Sequence, residues 1–282
     1  MRRTAYRNWE RLSTGSPDHR SIPILAYHKI DDEAFTPYWV SARTFKDQMK
    51  ALKNHGYETV SLEDIHRFRS GQGGLPSKPV VLTFDEGFHN FYTKAYPILK
   101  KYGCCATNFL LPAYIGDHTR FSSDWELDPV EEQYPTEHLL WSEVREMMAD
   151  GIVFGAHTSH HLDLTGLSFS QAENEIAGSK EILQNKLGAP VLWFSYPFSK
   201  SSSWVEYLVR RSGYDGAATI TERPFDTAGG DLFRMDRITI YRDDSTASDD
   251  NHPQDFFMNK VDPSFAHPDI CDKSMDLRNS LS

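Results

Sequence analysis

Residues 79–87 read Pro-Val-Val-Leu-Thr-Phe-Asp-Glu-Gly, a segment in which a buried-strand pattern ends in an acidic pair. The apolar run, rich in β-branched residues, predicts a strand, and the residues after Gly87 predict the start of a helix. In α/β folds, ligands and catalytic groups gather at the carboxyl ends of parallel strands, so Asp85 and Glu86 are candidates for chemistry. A plain turn is the alternative, because Gly87 tolerates a positive φ and Asp85 can cap the next helix.

A second apolar run ends in histidines. Residues 152–156 are Ile-Val-Phe-Gly-Ala, and the next five positions contain His157, His160 and His161. Imidazoles at one strand end and carboxylates at another form the ligand set that a borderline divalent metal such as zinc prefers. His157 and His161 are four positions apart, which suits two ligands on one helical turn or in a tight loop and leaves His160 as the spare. A lone histidine more often has a structural role, but three in five positions favour a metal site.

Strand and helix patterns alternate along most of the chain. The predicted strands cover residues 22–27, 57–60, 79–82, 106–111, 152–156, 191–194, 214–220 and 237–241. The predicted helices cover residues 41–55, 88–103, 141–151, 170–187 and 204–213, and a further helix opens at residue 61. This order predicts a parallel sheet with crossover helices.

Composition indicates a soluble enzyme. A chain of 282 residues, 39% of them hydrophobic, can bury a large core, in one barrel-sized domain or in two smaller ones. The net charge of −10 argues against nucleic acid or an anionic membrane as the partner. No segment resembles a membrane span, and the charged first ten residues lack the apolar stretch of a secretory signal, so we expect a cytoplasmic protein. A leader trimmed from the chain would leave the same appearance. The three cysteines form no disulfide framework or metal motif.

Together these motifs resemble a known family. A strand ending in Thr-Phe-Asp-acid-Gly, then His-Thr-Ser-His-His at residues 157–161 after another strand, then the aromatic-Pro stretch at Tyr196-Pro197, is similar to the polysaccharide deacetylases with a NodB-homology domain, carbohydrate esterase family 4. The likeness runs from about residue 22 to about residue 241. Residues 24–30, Ile-Leu-Ala-Tyr-His-Lys-Ile, are similar to the first strand of the poly-N-acetylglucosamine deacetylase branch.

The resemblance implies a fold and a domain plan. The fold is a distorted (β/α) barrel with mostly parallel strands and outer helices. We expect an N-terminal extension at residues 1–20, the deacetylase domain at residues 21–245 and a polar C-terminal tail at residues 246–282.

The resemblance also implies roles for particular residues. Asp85 is the general base, and Glu86, His157 and His161 hold a divalent metal, for which zinc is the best match. His28, at the end of the first strand, is the general acid; a strand-end histidine bonded to a backbone carbonyl is the structural alternative. Tyr196 and Pro197 are expected to contact the substrate, with Tyr196 offering a backbone or side-chain contact to the oxyanion.

The sequence departs from the family pattern at several positions. Glu86 stands where Asp is usual, which puts the metal geometry in doubt. Tyr196 stands just before Pro197, where the family often has the Arg that orients the base, so that Arg is expected from Arg234 or Arg237, although either could be a surface charge. Ser199-Lys200 stands where the family commonly has Gly, a change expected to reshape the groove.

A polar and aromatic segment at residues 116–135 has little periodicity and predicts a long loop over the strand ends. Trp125 and Tyr134 in this loop are candidates for stacking against a sugar; aromatics that pin the loop to the domain are the alternative.

The function expected from the resemblance is metal-dependent hydrolysis of N-acetyl groups on the amino sugars of a polysaccharide or glycoconjugate. An intracellular precursor is as suitable a substrate as a wall polymer. Two alternatives stay open: a catalytically inactive relative that binds carbohydrate, and a deacylase of a non-sugar amide.

Overall fold

The computed structural model describes residues 19–32, 36–116, 137–246, 256–262 and 264. Its strands are β1 (Ser21–Ile22), β2 (Ile24–Tyr27), β3 (Lys29–Ile30), β4 (Trp39–Val40), β5 (Glu58–Thr59), β6 (Pro79–Phe84), β7 (Thr107–Leu110), β8 (Val153–Ala156), β9 (Trp193–Ser195), β10 (Gly216–Ala218), β11 (Phe225–Asp226) and β12 (Ile238–Thr239). Its α-helices are α1 (Ala42–Asn54), α2 (Leu62–Arg69), α3 (Tyr96–Tyr102), α4 (Trp141–Ala149), α5 (Phe169–Leu187), α6 (Ser203–Arg211) and α7 (Phe256–Val261).

The centre of the molecule is a curled parallel sheet in the order β10-β9-β8-β7-β6-β2-β12, with β5 also paired to β6. Every strand pair in this sheet is parallel. Backbone hydrogen bonds from Thr219 N–H to Met235 O (2.9 Å) and from Thr221 N–H to Arg237 O (3.1 Å) link the β10 edge to the segment before β12. The predicted parallel sheet with outer helices is therefore confirmed.

Side chains along β6 alternate between two environments, as the period of a strand requires. Val80, Leu82 and Phe84 pack in the large core cluster that the helices cover, whereas Val81 belongs to a smaller cluster on the other face of the sheet. The next inward positions are Thr83 and Asp85. The alternation thus directs Asp85 toward the interior of the barrel at the carboxyl end of the strand.

Helix boundaries follow the capping residues in the sequence. Ser41 caps α1 by accepting from Thr44 N–H, and Ser61 and Asp64 form a capping box at α2. Gly103 ends α3 with φ of +69°. Before α3, Phe91–Ala95 is a π-helical turn, where we expected an α-helix. Pro97, which has no N–H to continue an α-helical hydrogen-bond ladder, follows directly.

Two further expectations differ from the structure. The predicted strand at residues 22–27 is divided at Pro23: β1 pairs antiparallel with β11, and only β2 enters the main sheet. The C-terminal tail was expected to be loose, but α7 lies beyond the last strand, and its Phe257, Met258 and Val261 are buried. Burial of these apolar residues stabilises the packing of α7, although the surrounding sequence is mostly polar.

In the described part of the chain, no helix has the length and apolar character needed to cross a bilayer.

Candidate active site

The candidate site lies at the carboxyl end of the sheet, where His28, Asp85, His157 and Tyr196 each follow a strand. Backbone hydrogen bonds between neighbouring strands continue into these residues, such as those from Asp85 N–H to Tyr27 O (3.1 Å) and from His157 N–H to Leu110 O (2.9 Å). They open onto a pocket of about 260 Å³. The pocket is lined by His28, Tyr38, Asp85, Glu86, His157, His161, Tyr196, Phe198, Ser199, Ile220, Arg237, Thr239 and Tyr241.

Glu86, His157 and His161 converge in this pocket, and we call them the carboxyl-end cluster. One ligand atom from each lies within 4.8 Å of the others. The two Nε2 atoms of His157 and His161 are 3.1 Å apart, and Glu86 Oε1 is 3.7 Å from His161 Nε2. All three residues are at most 5% exposed. The structure therefore brings together the three predicted metal ligands.

A hydrogen bond fixes the tautomer of His157. Its Nδ1 lies 2.8 Å from the backbone oxygen of Ser195, which can only accept, so Nδ1 carries the proton. Nε2 then presents a lone pair to the pocket. Histidines that bind metals typically donate a hydrogen bond from the ring nitrogen that does not face the metal, because this bond orients the ring and increases its basicity.

The residues of the carboxyl-end cluster fit a divalent metal. Burial is the main cause that lowers the pKa of both His157 and His161, so both rings are neutral, as a ligand must be. Two imidazole nitrogens and one carboxylate oxygen form a common set for a metal site with open positions. The cluster could therefore hold a divalent ion.

Asp85 is clamped by Arg237. Arg237 donates from Nη1 to Asp85 Oδ1 and from Nη2 to Oδ2, both at 2.8 Å, and both residues are buried. Arg237 also donates to Thr83 Oγ1 and Ser195 Oγ. Burial alone would raise the pKa of Asp85, but Arg237 and then His157 hold it well below its usual value. Of the two arginines considered from the sequence, Arg237 thus reaches Asp85, while Arg234 pairs with Glu206 on the surface.

His28 lies in the same pocket, beside Tyr38, with ring centroids 5.4 Å apart. Burial lowers its pKa to about 4, although the charge of Asp85 opposes that shift. Its Nδ1 is buried and has no hydrogen-bond partner among the residues that the structure describes, so this atom does not make the backbone bond considered as an alternative.

The loop that carries the histidines is a tight turn, one of the two arrangements considered. Thr158 and His161 have φ of +68° and +58°, which excludes a continuous helix. Glu175 of α5 holds the loop: its Oε2 accepts from the N–H groups of Ser159 (3.0 Å) and His160 (2.9 Å). Its Oε1 lies 2.7 Å from His160 Nδ1. The expected spare histidine therefore helps to anchor the loop.

Glu175 was missed from the sequence. It is the one charged residue on the buried face of α5, whose other buried members are Ala172, Ile176, Ser179, Leu183 and Leu187. A carboxylate on an otherwise apolar helix face requires a buried partner. That signal was available in the sequence, but it does not reveal which loop the carboxylate contacts.

Two residues in the turn after β6 have a left-handed backbone conformation. Glu86 has φ of +77° and Gly87 has φ of +73°. A left-handed Glu costs about 1–3 kcal/mol, and such residues cluster at functional sites. At Gly87 a Cβ atom would also lie 2.7 Å from Leu110 Cδ2, so Gly is required there. The turn considered as an alternative is present, and it turns Glu86 toward the histidines.

The expected contact of Tyr196 with an oxyanion needs correction. Tyr196 lines the pocket, but its N–H donates to Ala218 O (3.1 Å) and its hydroxyl to Phe233 O (3.0 Å), so both donors are engaged away from an oxyanion. Pro197 is buried and begins a 3-10 turn next to the pocket lining. Trp125 and Tyr134 lie outside the described residues.

Other aromatic residues line the pocket and were not predicted: Tyr38, Phe198 and Tyr241. Tyr241 closely follows the last strand, so its position was a usable signal, whereas nothing in the sequence around Tyr38 indicated the site. Phe198 and Ser199 have φ of +56° and +54°. A left-handed φ favours Gly, so Ser199 is not the residue best suited to this turn.

Comparisons with known proteins agree with this geometry. The family model described as Polysaccharide deacetylase matches residues 72–217, just over half of the chain, and the chain belongs to this family. The protein is therefore a hydrolase that acts on carbon–nitrogen bonds other than peptide bonds.

Relatives and solved structures extend the match beyond that region. The chain is 28% identical over 219 residues to a putative polysaccharide deacetylase, YxkH, of Bacillus subtilis, covering 78% of this chain and 71% of the relative. It is 28% identical over 218 residues to a poly-β-1,6-N-acetyl-D-glucosamine N-deacetylase of Staphylococcus aureus, covering 73% and 69%. The structure of the Streptococcus pyogenes deacetylase PplD in complex with acetate superposes with a TM-score of 0.71 at 27% identity, covering 86% of this chain and 99% of that one. The predicted NodB-type fold is thereby confirmed.

Proposed function

We propose that this protein is a metal-dependent de-N-acetylase that acts on amino-sugar residues of a polysaccharide or glycoconjugate. One observation carries the proposal: two neutral histidines and a carboxylate converge beside an ionised, arginine-clamped aspartate in a single pocket. The Staphylococcus aureus relative, named for deacetylation of an N-acetylglucosamine polymer, supports the substrate class. Net charge and pocket chemistry favour a carbohydrate over nucleic acid.

The pocket contains groups for each part of amide hydrolysis. Glu86, His157 and His161 would hold the metal, with zinc the best match to two imidazoles and one carboxylate. When bound, a divalent ion lowers the pKa of water and polarises the acetyl carbonyl. Asp85 accepts the proton of the attacking water, and Arg237 keeps its carboxylate oriented toward the pocket.

His28 is proposed to protonate the departing amine. With a pKa of about 4, its ring is neutral at pH 7 before the reaction, so it must gain a proton during turnover. Asp85 favours that protonated ring electrostatically. The balanced reaction consumes one water and one N-acetyl amide and yields acetate and a free amine.

One of the two open alternatives is weakened by Arg237. The possibility of an inactive carbohydrate-binding relative rested on Glu86 and on a missing arginine, and Arg237 occupies the position expected of that arginine. A deacylase of a non-sugar amide would use the same groups and differs only in substrate.

The test is acetate release from N-acetylglucosamine oligomers by zinc-loaded wild type and Asp85→Asn. We expect the variant to lose about 10²–10⁴-fold in rate, the contribution typical of a general base, while retaining its zinc. Asp243→Asn, at a side chain that is 89% exposed, is the matched control and should remain active. Zinc binding without acetate release by wild type would contradict the proposal; oligomer binding would then indicate the carbohydrate-binding relative, and acyl release from other amides the non-sugar deacylase.

A further inference from the structure

A second histidine and carboxylate cluster lies at the opposite end of the barrel. Glu63 and His66 are three positions apart on α2, so they share one face of the helix, and Asp215 immediately precedes β10. One ligand atom from each of the three lies within 4.8 Å of the others. We call Glu63, His66 and Asp215 the amino-end cluster, since it lies before β9 and β10 begin.

Two polar atoms of this cluster are buried without a partner. Glu63 Oε2 and His66 Nδ1 are inaccessible to solvent and form no hydrogen bond with any residue that the structure describes. Buried polar atoms are nearly always satisfied, so a pair of unsatisfied atoms within one cluster indicates a missing ligand. The His66 ring is further confined by the edge of Trp193, with ring centroids 6.1 Å apart.

The charges of the cluster are also unbalanced. In the described ranges, neither Glu63 nor Asp215 forms an ion pair with Lys or Arg. Burial and the charge of Asp215 raise the pKa of Glu63, while His66 and Arg67 oppose that shift. Lys180 is the nearby cation that Asp215 influences, but its ammonium is engaged by Gly213 O. Among the described residues, these two carboxylates share one cluster without a direct ion pair to Lys or Arg, which favours binding of a metal cation.

We propose that Glu63, His66 and Asp215 form a second divalent-cation site, separate from the deacetylase pocket. One imidazole and two carboxylates match zinc, or manganese where more oxygen ligands come from water. Glu63 also lines a cavity of about 610 Å³, so this cavity lies beside the cluster. The bound ion ties α2 to the segment before β10 and neutralises the two carboxylates, so its role is structural.

The test is a zinc titration of metal-free full-length protein by calorimetry, with wild type compared to Glu63→Gln/His66→Gln. We expect about two zinc ions per chain in wild type and about one in the double variant. Glu181→Gln, an exposed change of the same charge on α5, should keep about two. Saturating zinc should raise the melting temperature of the double variant less than that of wild type, whereas without metal the two proteins should melt within a few degrees of each other.

Acetate release separates this proposal from the proposed function. The double variant should retain wild-type activity, because its changes lie at the far end of the barrel from Asp85. One zinc ion in wild type, or two that persist in the double variant, would overturn the second site whatever the activity. If the metal-free double variant melts far below metal-free wild type, the titration is repeated with His66→Gln alone. We again expect about one zinc ion per chain, and two would overturn the second site.

Discussion

The carboxyl-end and amino-end clusters contain similar ligand groups, but they differ in the hydrogen bonds that hold those groups in place. In the first, His157 is oriented by Ser195 O, its loop is held by Glu175, and the neighbouring Asp85 is clamped by Arg237. In the second, Glu63 and His66 share a single helix, and two of the cluster's polar atoms lack partners. All residues of the first are buried, and all of the second are half-buried.

This difference separates a site built for chemistry from one suited to a structural ion. Catalysis requires groups that are held in place by further hydrogen bonds before the substrate arrives. Parallel strands supply such positions at their carboxyl ends, where four strands direct residues into one pocket. Among the described residues, no aspartate is clamped by an arginine beside the amino-end cluster, so we expect metal there to add stability and no activity.

The largest expected effect comes from removing the clamp on Asp85. Arg237→Met leaves a buried carboxylate unpaired and should lower the free energy of unfolding by about 3–5 kcal/mol. Arg234→Met is the matched control, because its guanidinium is exposed, and it should cost about 0–1 kcal/mol. The measurement is urea unfolding of the metal-free proteins. Equal losses of unfolding free energy in the two variants would show that the ion pair of Arg237 with Asp85 adds no more stability than a surface arginine does.

A smaller effect is expected from loosening the histidine loop. Glu175→Gln removes the charge that holds the N–H groups of Ser159 and His160, so His157 and His161 should be less well oriented. We expect zinc affinity at the carboxyl-end cluster to fall about 10–100-fold, as is typical for groups that orient metal ligands. Competition with a chelator measures it, and Glu173→Gln on the same helix, paired at the surface with Arg211, should leave the affinity unchanged. Unaltered affinity in Glu175→Gln would mean that the loop needs no such anchor.

The smallest effect is expected at the amino-end cluster. Lys180→Met removes a positive charge near Asp215 and should strengthen zinc binding there about 2–5-fold, the range of a partly exposed charge interaction. Lys186→Met, farther along α5 and near Trp141, is the control. Calorimetry on the Glu86→Gln background, in which the other cluster is weakened, measures this site. Weaker binding in Lys180→Met would contradict the charge argument.

Local patterns were sufficient to predict the sheet and the strand-end residues. Asp85, Glu86 and His157 each follow a short apolar run, and parallel strands bring their carboxyl ends to the same edge. The starts of two helices, near Ser41 and Ser61, were likewise predicted from the sequence. These patterns therefore predicted that the acidic pair and the histidines lie at one edge of the sheet, whereas the choice of Glu86 as the metal ligand came from the family resemblance.

Contacts between distant segments could not be predicted. The choice between Arg234 and Arg237 depends on which side chain enters the barrel where the segment before β12 meets β10. The anchoring of the histidine loop by Glu175, and the burial of α7, likewise depend on packing between elements far apart in sequence. Tyr196 shows the same limit: its motif placed it correctly at the pocket, but its donors are engaged by Ala218 and Phe233.

The central claim is that the carboxyl-end cluster binds the catalytic metal, and anomalous diffraction at the zinc edge from zinc-loaded crystals tests it most directly. We predict a peak about 2.0–2.2 Å from Nε2 of both His157 and His161 and from a Glu86 oxygen. Crystals of an active enzyme with no peak between these three side chains would contradict the claim.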